Sequence, residues 1–366
     1  MGQIQTDVNE AVNQQLACRG CGATLDFAPG TRSLKCSYCG AENPIEVEEA
    51  PIEEIDFEKF ISESIDKSEQ LEVRTVKCPG CGAQITLDEK ITADFCPYCD
   101  TRLVVSEGGS TAIIRPKSLV PFAIDKKKAV QLFHNWISKL WFAPSDLKER
   151  VAKEAMDGMY VPYWTYDTQT YSTYTGLKGT YYYVTENYTT QENGKTVTRS
   201  RQVRKISWAP CAGSVNVAFD DVLVPASRSL PDKIIHFLPP WNLSQLTPYD
   251  DRFLSGFRCE AYGVDVKEGL ELAKVIMKRE IESQIRRDIG GDEQRILTSH
   301  SKYDNITFKH ILLPIWISSY RYKDKVYRFL VNGQSGKVKG ERPYSVWKIL
   351  SLILIIVALI IAFFAL

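Results

Sequence analysis

Apolar residues recur at helical spacing in several stretches of the chain. Asp125 can N-cap a helix whose Ala129, Leu132, Phe133, Trp136, Ile137 and Leu140 form one apolar stripe. A second helix is predicted after Ser145. The longest is predicted from about Asp265 to Ile289, with Leu272, Ile276, Ile281, Ile285 and Ile289 facing one way. Lys274, Lys278, Arg286 and Arg287 fall on its other face, and Gly290-Gly291 terminate it. A weaker period, Ile52, Ile55, Phe60, Ile61 and Ile65, fits a short amphipathic helix over about 53–70. It lies in a run, Glu46–Glu72, with 11 acidic residues against Lys59 and Lys67, which favours a solvated linker. A helix that docks a partner is the alternative there.

Elsewhere aromatic and β-branched residues set a strand pattern. VPYWTYDTQTYSTYTG (161–176) reads as a strand pair or one long bent strand. TYYYVTENYTT pairs with KTVTRSRQVRKISW across Asn193-Gly194, a favoured type I′ turn. ILLPIWISSYRY, KVYRFLVN and KVKGERPY give further strands, with a turn at Asn332-Gly333. Val161-Pro162-Tyr163-Trp164 and Leu313-Pro314-Ile315-Trp316 echo each other. Residues 111–340 therefore read as one α+β domain with an antiparallel sheet, and Gly108, Gly109 and Ser110 mark its start.

Val346 to Leu366 has no polar face, and 15 of its residues are Leu, Ile, Val or Phe. As a helix it spans ~31 Å, the thickness of a hydrocarbon core. This predicts a C-terminal transmembrane helix, with Trp347 at the interface and Lys348 snorkelling. Lys337, Lys339, Arg342 and Lys348 precede the span and no charge follows it. The bulk of the chain is thus expected on the cytoplasmic side of the cell membrane, where the sequons at Asn187, Asn242 and Asn305 carry no glycans. The first residues have neither the positive nor the apolar region of a secretory signal.

Eight of the ten cysteines form a repeat with a 60-residue offset. Cys18-Arg19-Gly20-Cys21-Gly22-Ala23 returns as Cys78-Pro79-Gly80-Cys81-Gly82-Ala83, and Cys36-Ser37-Tyr38-Cys39 returns as Cys96-Pro97-Tyr98-Cys99. Each unit pairs two C-x-x-C turns 14 residues apart, the spacing of a tetrahedral Zn²⁺ site with four thiolates. Gly22 and Gly82 suit the φ > 0 position that closes such a turn. The 14 residues fit a hairpin, which in the second unit turns at Asp88-Glu89-Lys90. A unit this small folds on metal binding. A disulfide scaffold would need an oxidising compartment, and four protein ligands leave no open position for metal catalysis. The chain is therefore expected to bind two structural zinc ions in two rubredoxin-like ribbons, through Cys18, Cys21, Cys36, Cys39, Cys78, Cys81, Cys96 and Cys99. Cys211 and Cys259 match no motif and read as inert thiols.

No catalytic frame joins these features. His134, His236, His300 and His310 are scattered, and neither a P-loop nor a G-x-S-x-G is present. Asp220-Asp221 and Asp250-Asp251 read as solvated caps. Charge narrows the choice further: the 45 basic and 45 acidic residues cancel, yet residues 1–110 hold 9 basic and 20 acidic ones. Within that half, neither ribbon carries the concentrated Lys/Arg that phosphate binding needs.

The two C-P-x-C-G-type ribbons, PWNLSQLTPYDDRFLSGFRCEAY (240–262), LLPIWISSYRY…VNGQSGKVKGERP and the terminal span resemble a bacterial family. Its members are membrane-anchored double zinc-ribbon proteins, often labelled transcription-factor-IIB-type ribbon or primosomal-helicase-like. The resemblance covers nearly the whole chain. It implies a scaffold role in envelope stress, with phage-shock-type or flotillin-like proteins as partners, and carries the zinc ligands onto the eight cysteines above. The helicase label does not carry over, because a motor needs a P-loop.

The expected organisation is multidomain: a flexible N-terminus (1–15), ribbon 1 (16–44), an acidic linker (45–74), ribbon 2 (75–105), the α+β domain (111–340) and the membrane helix (346–366). The expected function is a non-enzymatic adaptor that docks protein partners at the membrane. The basic residues Arg199, Arg201, Arg204 and Lys205, with Lys337, Lys339 and Arg342, read equally as a surface that touches anionic lipid and as ordinary solvated charge. Nucleic-acid binding by the ribbons is the alternative.

Overall fold

A computed structural model describes residues 16–47, 51–62, 70–86, 93–104, 109–144, 156–192, 195–235, 238–322 and 325–365. The predicted helix after Ser145, the turns at Asp88-Glu89-Lys90 and Asn193-Gly194, His236 and the N-terminal 1–15 lie outside these residues.

In chain order the strands are β1 (Leu25–Phe27), β2 (Ser33–Cys36), β3 (Glu42–Pro44), β4 (Ile55–Asp56), β5 (Gln70–Lys77), β6 (Gln84–Thr86), β7 (Ala93–Phe95), β8 (Arg102–Val104), β9 (Gly109–Ile114), β10 (Ser118–Leu119), β11 (Asp157–Glu192), β12 (Lys195–Pro225), β13 (Thr247–Pro248), β14 (Arg258–Glu260), β15 (Glu293–Tyr322), β16 (Lys325–Asn332) and β17 (Val338–Gly340). The helices are α1 (Phe57–Ser62), α2 (Lys126–Ser138), α3 (Val266–Ile289) and α4 (Val346–Ala365), with a single turn at Asp232–Ile235.

The long strands β11 and β15 form the spine of a sheet with 12 strands. They pair antiparallel from Asp157↔Ile317 to Gly179↔Glu293, which places the two echoing segments side by side, with Val161 opposite Leu313. On its other edge β11 pairs with β12 and, in parallel, with β14. The other edge of β15 receives β16, β10 and β4, the β10 pairing being parallel. The expected antiparallel sheet thus includes two parallel pairings. The run Tyr160–Tyr166 does not alternate in hydrophobicity because both faces of the spine are covered there.

Both cysteine units share hydrophobic clusters with this spine, one on each face. Met159, Val161, Tyr163, Ile311, Leu313 and Ile315 pack with Val76, Cys78, Ile85, Tyr98 and Cys99 of the second unit. On the opposite face Tyr160, Leu312, Trp316 and Phe329 pack with α2 and with Cys18, Leu25, Phe27, Leu34 and Cys36 of the first unit. Further along that face, Trp164, Tyr166 and Phe308 meet α3.

Helix α2 has the predicted start, with Asp125 accepting from the Lys128 N–H. Helix α3 also has the predicted ends, an Asp265 N-cap and a Gly290 C-cap, and Ile281, Ile285 and Ile289 are buried as predicted, but the N-terminal half of its buried face differs from the predicted one. Val266, Gly269, Leu270, Ala273, Met277, Ile281, Ile285 and Ile289 are buried, whereas Leu272 and Ile276 are exposed. Gly269 explains the rotation. A Cβ there would lie 2.3 Å from the Tyr166 hydroxyl, so the bare backbone sets which side of the helix reaches the sheet.

The acidic run is not a free linker over its described residues. β4 pairs with β15, and Phe57 and Phe60 of the six-residue α1 pack edge-on against Phe308. Within the predicted 53–70 span the described helix is Phe57–Ser62, residues 63–69 lie outside the described ones, and β5 begins at Gln70 as part of the main sheet. Apolar contact outweighs the charge density that favoured solvation.

Candidate metal centres

Each cysteine unit closes its four thiols around one point. In the first, Sγ–Sγ distances are 3.5 Å for Cys18–Cys39 and 3.6 Å for Cys21–Cys36. In the second they are 3.5 Å for Cys78–Cys99 and 3.6 Å for Cys81–Cys96. Within each tetrad all four sulfurs lie within 4.8 Å of one another. A tetrahedron with Zn–S bonds of ~2.3 Å has edges of ~3.8 Å, whereas a disulfide needs ~2.05 Å. The two tetrads could therefore each hold one zinc ion, and all eight predicted residues are brought together.

The local backbone follows the glycine logic of the sequence. Gly22 and Gly82 have φ of 76° and 78°, and their N–H groups donate to the Cys18 and Cys78 carbonyls at 2.8 and 2.9 Å. Within each tetrad the hydrogen-bonded thiols push one another apart in acidity: Cys39, Cys96 and Cys99 are raised, and Cys21 goes up to about 12 against the Ala23 N–H. The N–H groups of Cys39 and Tyr38 hold the Cys36 thiol down to about 6, and the hydrogen bond with Cys96 holds Cys81 down to about 5.

Beyond the tetrads the units differ. Tyr98 of the second unit is fully buried, and its hydroxyl donates to Glu260 at 2.5 Å. Glu260 also accepts from Ser227 at 2.9 Å and from Ser229. Burial lifts the Glu260 carboxyl to about 7 against these three donors. Arg328 of β16 donates to the Tyr98 carbonyl at 2.5 Å, so the knuckle is clamped from two strands. The first unit docks instead through its hairpin. Phe27 lies 5.2 Å from the Phe253 ring, and its N–H donates to the Ser255 carbonyl at 3.0 Å. Its knuckle faces outward: Cys21 and Cys39 are exposed, and Tyr38 is 85% exposed.

A second polar cluster gathers around a residue that no motif marks. Lys309 of β15 is buried and reaches Asp221 at 2.8 Å, Glu54 at 2.9 Å and Asp167 at 3.9 Å. Asp221 is thus no solvated cap, and the Asp220-Asp221 reading holds only for the exposed Asp220. Asp167 is lifted to about 7 by burial and by sharing a hydrogen bond with Glu54. Despite its own burial, Glu54 is held at about 2 by Asp167, Thr307 and Lys309. Asp167, Asp220 and Asp221 have metal-compatible spacing, but the Lys309 ammonium already supplies a cation there. The sequence signal was only a lysine within an apolar, aromatic-rich strand. Asp250 does cap a 3-10 turn, paired with Arg252.

Of the remaining candidates, His134 lies on α2, while His300 and His310 lie ten residues apart on β15. His310 is buried, with Nδ1 2.7 Å from the Ile114 carbonyl. Cys211 and Cys259 are half-buried free thiols, and burial pushes the Cys259 thiol up to about 12.

Helix α4 is long and apolar enough to cross a membrane, with mean hydropathy 2.9 over Val346–Phe364 and none of that stretch buried. At its start the Ser345 N–H donates to the Phe142 carbonyl, and Lys348 Nζ to the Ala143 carbonyl at 2.8 Å. The basic residues that read equally as a lipid-facing surface and as solvated charge lie at opposite ends of the spine. Lys339 is opposite Leu330, beside Ile317 and Asp157, whereas Lys205 and Arg201 are opposite Tyr182 and Glu186. That is roughly 80 Å along the strand at ~3.3 Å per residue.

Among the described residues, the fold and site define a sheet-rich α+β protein with two four-cysteine centres and one membrane-compatible helix. No protein-family model matches the chain, and no solved structure matches it. It is similar to YdjG of Bacillus subtilis (strain 168), an uncharacterized protein, with 26% identity over 333 residues and 91% of each chain covered.

Proposed function

We propose that the chain is a membrane-anchored, non-enzymatic adaptor carrying two zinc ribbons, with α4 as its cell-membrane anchor and the rest on the cytoplasmic side. The ribbons are the two cysteine units, each holding structural Zn²⁺ in a closed four-thiolate site with no position left for substrate. The observation that carries the adaptor reading is the contrast between the two knuckles. One is received by the protein's own Glu260, whereas the other leaves Tyr38 85% exposed on a rigid turn. An amphipathic aromatic on a rigid mount is a strong interface anchor. By the family resemblance, the partners are phage-shock-type or flotillin-like proteins in an envelope-stress system. The test is affinity capture with the full membrane-embedded protein, comparing Tyr38→Ala and Cys36→Ser with the parent. Loss of the same partner in both variants supports the adaptor, and capture that survives both contradicts it.

Nucleic-acid binding has one specific observation in its favour, and it concerns β11–β12 rather than the ribbons. Residues 180–192 and 195–207 pair only with each other among the described residues. This two-stranded arm carries Lys195, Arg199, Arg201, Arg204 and Lys205 against Glu186 and Glu192. It also exposes Tyr182, Tyr183 and Tyr188, and a ribbon of this kind fits a major groove. A salt-dependent shift of labelled DNA that is lost in Arg201→Gln/Lys205→Gln would favour this second reading.

A further inference from the structure

A cavity of about 620 Å³ opens beside the start of α4, between the C-terminal half of α2 and the edge formed by β16 and β17. Its lining includes Lys325, Lys339 and Arg342, with Trp136, Tyr327 and Tyr344. Glu341 also lines it, but its carboxylate accepts from the Arg328 backbone N–H at 3.2 Å, so it is partly engaged with β16. Among the described lining residues that is three cations against one carboxylate, a positive balance.

Its position matters as much as its charge. Val346, where α4 begins, follows Arg342 by four residues, so Arg342 lies at most ~14 Å of chain from the apolar span. Around that junction Trp141, Tyr344 and Trp347 are 64%, 59% and 82% exposed, the aromatic belt expected at a bilayer–water boundary. Taking the difference between the full bilayer and its hydrocarbon core, each headgroup layer is roughly 5–8 Å deep. A cavity lined by Tyr344 opens at that level. The Arg342 guanidinium lies 5.2 Å from the centre of the Tyr344 ring, which holds its charge at the rim.

We infer that this cavity binds the phosphate-bearing headgroup of an anionic phospholipid. This rests on α4 spanning the membrane and goes beyond anchoring. Lys325 and Arg342 contact the phosphate, Trp136 and Tyr327 form the apolar wall, and the acyl chains run along α4. The lipid would fix how the sheet sits on the bilayer.

The test uses the full chain in a zwitterionic detergent, titrated calorimetrically with dihexanoyl phosphatidylglycerol, dihexanoyl phosphatidylcholine and inorganic phosphate. Saturable binding of the phosphatidylglycerol, at least about tenfold tighter than the other two, is expected. Lys325→Gln and Arg342→Gln should each weaken it about fivefold, near the effect of one basic residue at a lipid surface. Lys278→Gln on the remote face of α3 should not weaken it. Equal affinity for the two lipids, or unchanged binding in both variants, overturns the proposal. Inorganic phosphate binding as tightly as the lipid overturns the lipid assignment in favour of a free-phosphate site. Lys325 is an exposed hairpin residue, so its variant keeps the test valid if Arg342→Gln misfolds. Micelle titration does not require α4 to span a bilayer, and carbonate extraction of membranes tests that separately.

Discussion

Tyr38 and Tyr98 hold the same place in two cysteine units of matching sequence, and the fold treats them oppositely. Tyr98 is 0% exposed and bonded to Glu260, while Tyr38 is 85% exposed. Tyr98→Phe removes one donor from a buried carboxylate and should destabilise the protein by about 1–3 kcal/mol. Tyr38→Phe should change stability by less than about 0.5 kcal/mol. Denaturant unfolding of both variants at saturating zinc checks the contrast.

That contrast was not legible in the sequence, because the two knuckles differ mainly by Ser37 against Pro97. What receives Tyr98 comes from Glu260, 162 residues away. The eight candidate ligands were legible because a C-x-x-C turn is local. The ends of α3 were legible for the same reason, through Asp265 and Gly290. The N-terminal half of the buried face of α3 was not, since it depends on Gly269 meeting Tyr166 across the sheet. The docking of Phe57 and Phe60 was likewise hidden by the surrounding acidic residues.

Lys309 joins the acidic segment to the spine, and its loss leaves three carboxylates facing one another. Lys309→Met should cost about 3–5 kcal/mol, the range for breaking a buried ion pair, measured by thermal or denaturant unfolding. Asp167, lifted to about 7, has the opposite pH signature from a paired carboxylate. Its folded state holds the proton more tightly than the unfolded chain does. Its contribution is therefore full below about 4 and is lost as pH rises through about 7. Asp167→Asn should flatten the stability profile across that window.

His310 should make the protein acid-sensitive in a different window. Burial lowers its pKa to about 4, even though the Ile114 carbonyl accepts from its ring. A depressed folded pKa means the stabilisation is present above about 6.5 and is lost as pH falls toward 4. The shift corresponds to about 3 kcal/mol. In His310→Phe that acid loss should shrink, as read by unfolding at stepped pH across that window.

The apolar α4 should hold the protein in membranes through carbonate washing, and removal of 346–366 should release it to the soluble fraction. Recovery of the full chain in the carbonate supernatant would contradict the anchor.

The account depends most on the two thiol tetrads being zinc sites. Metal analysis of the full chain, purified natively without chelator and paired with thiol counting, tests this most directly. Two zinc ions per chain are expected, falling to one in Cys36→Ser, with no disulfides. A chain that carries no zinc, or whose tetrad cysteines are joined as disulfides, would contradict it.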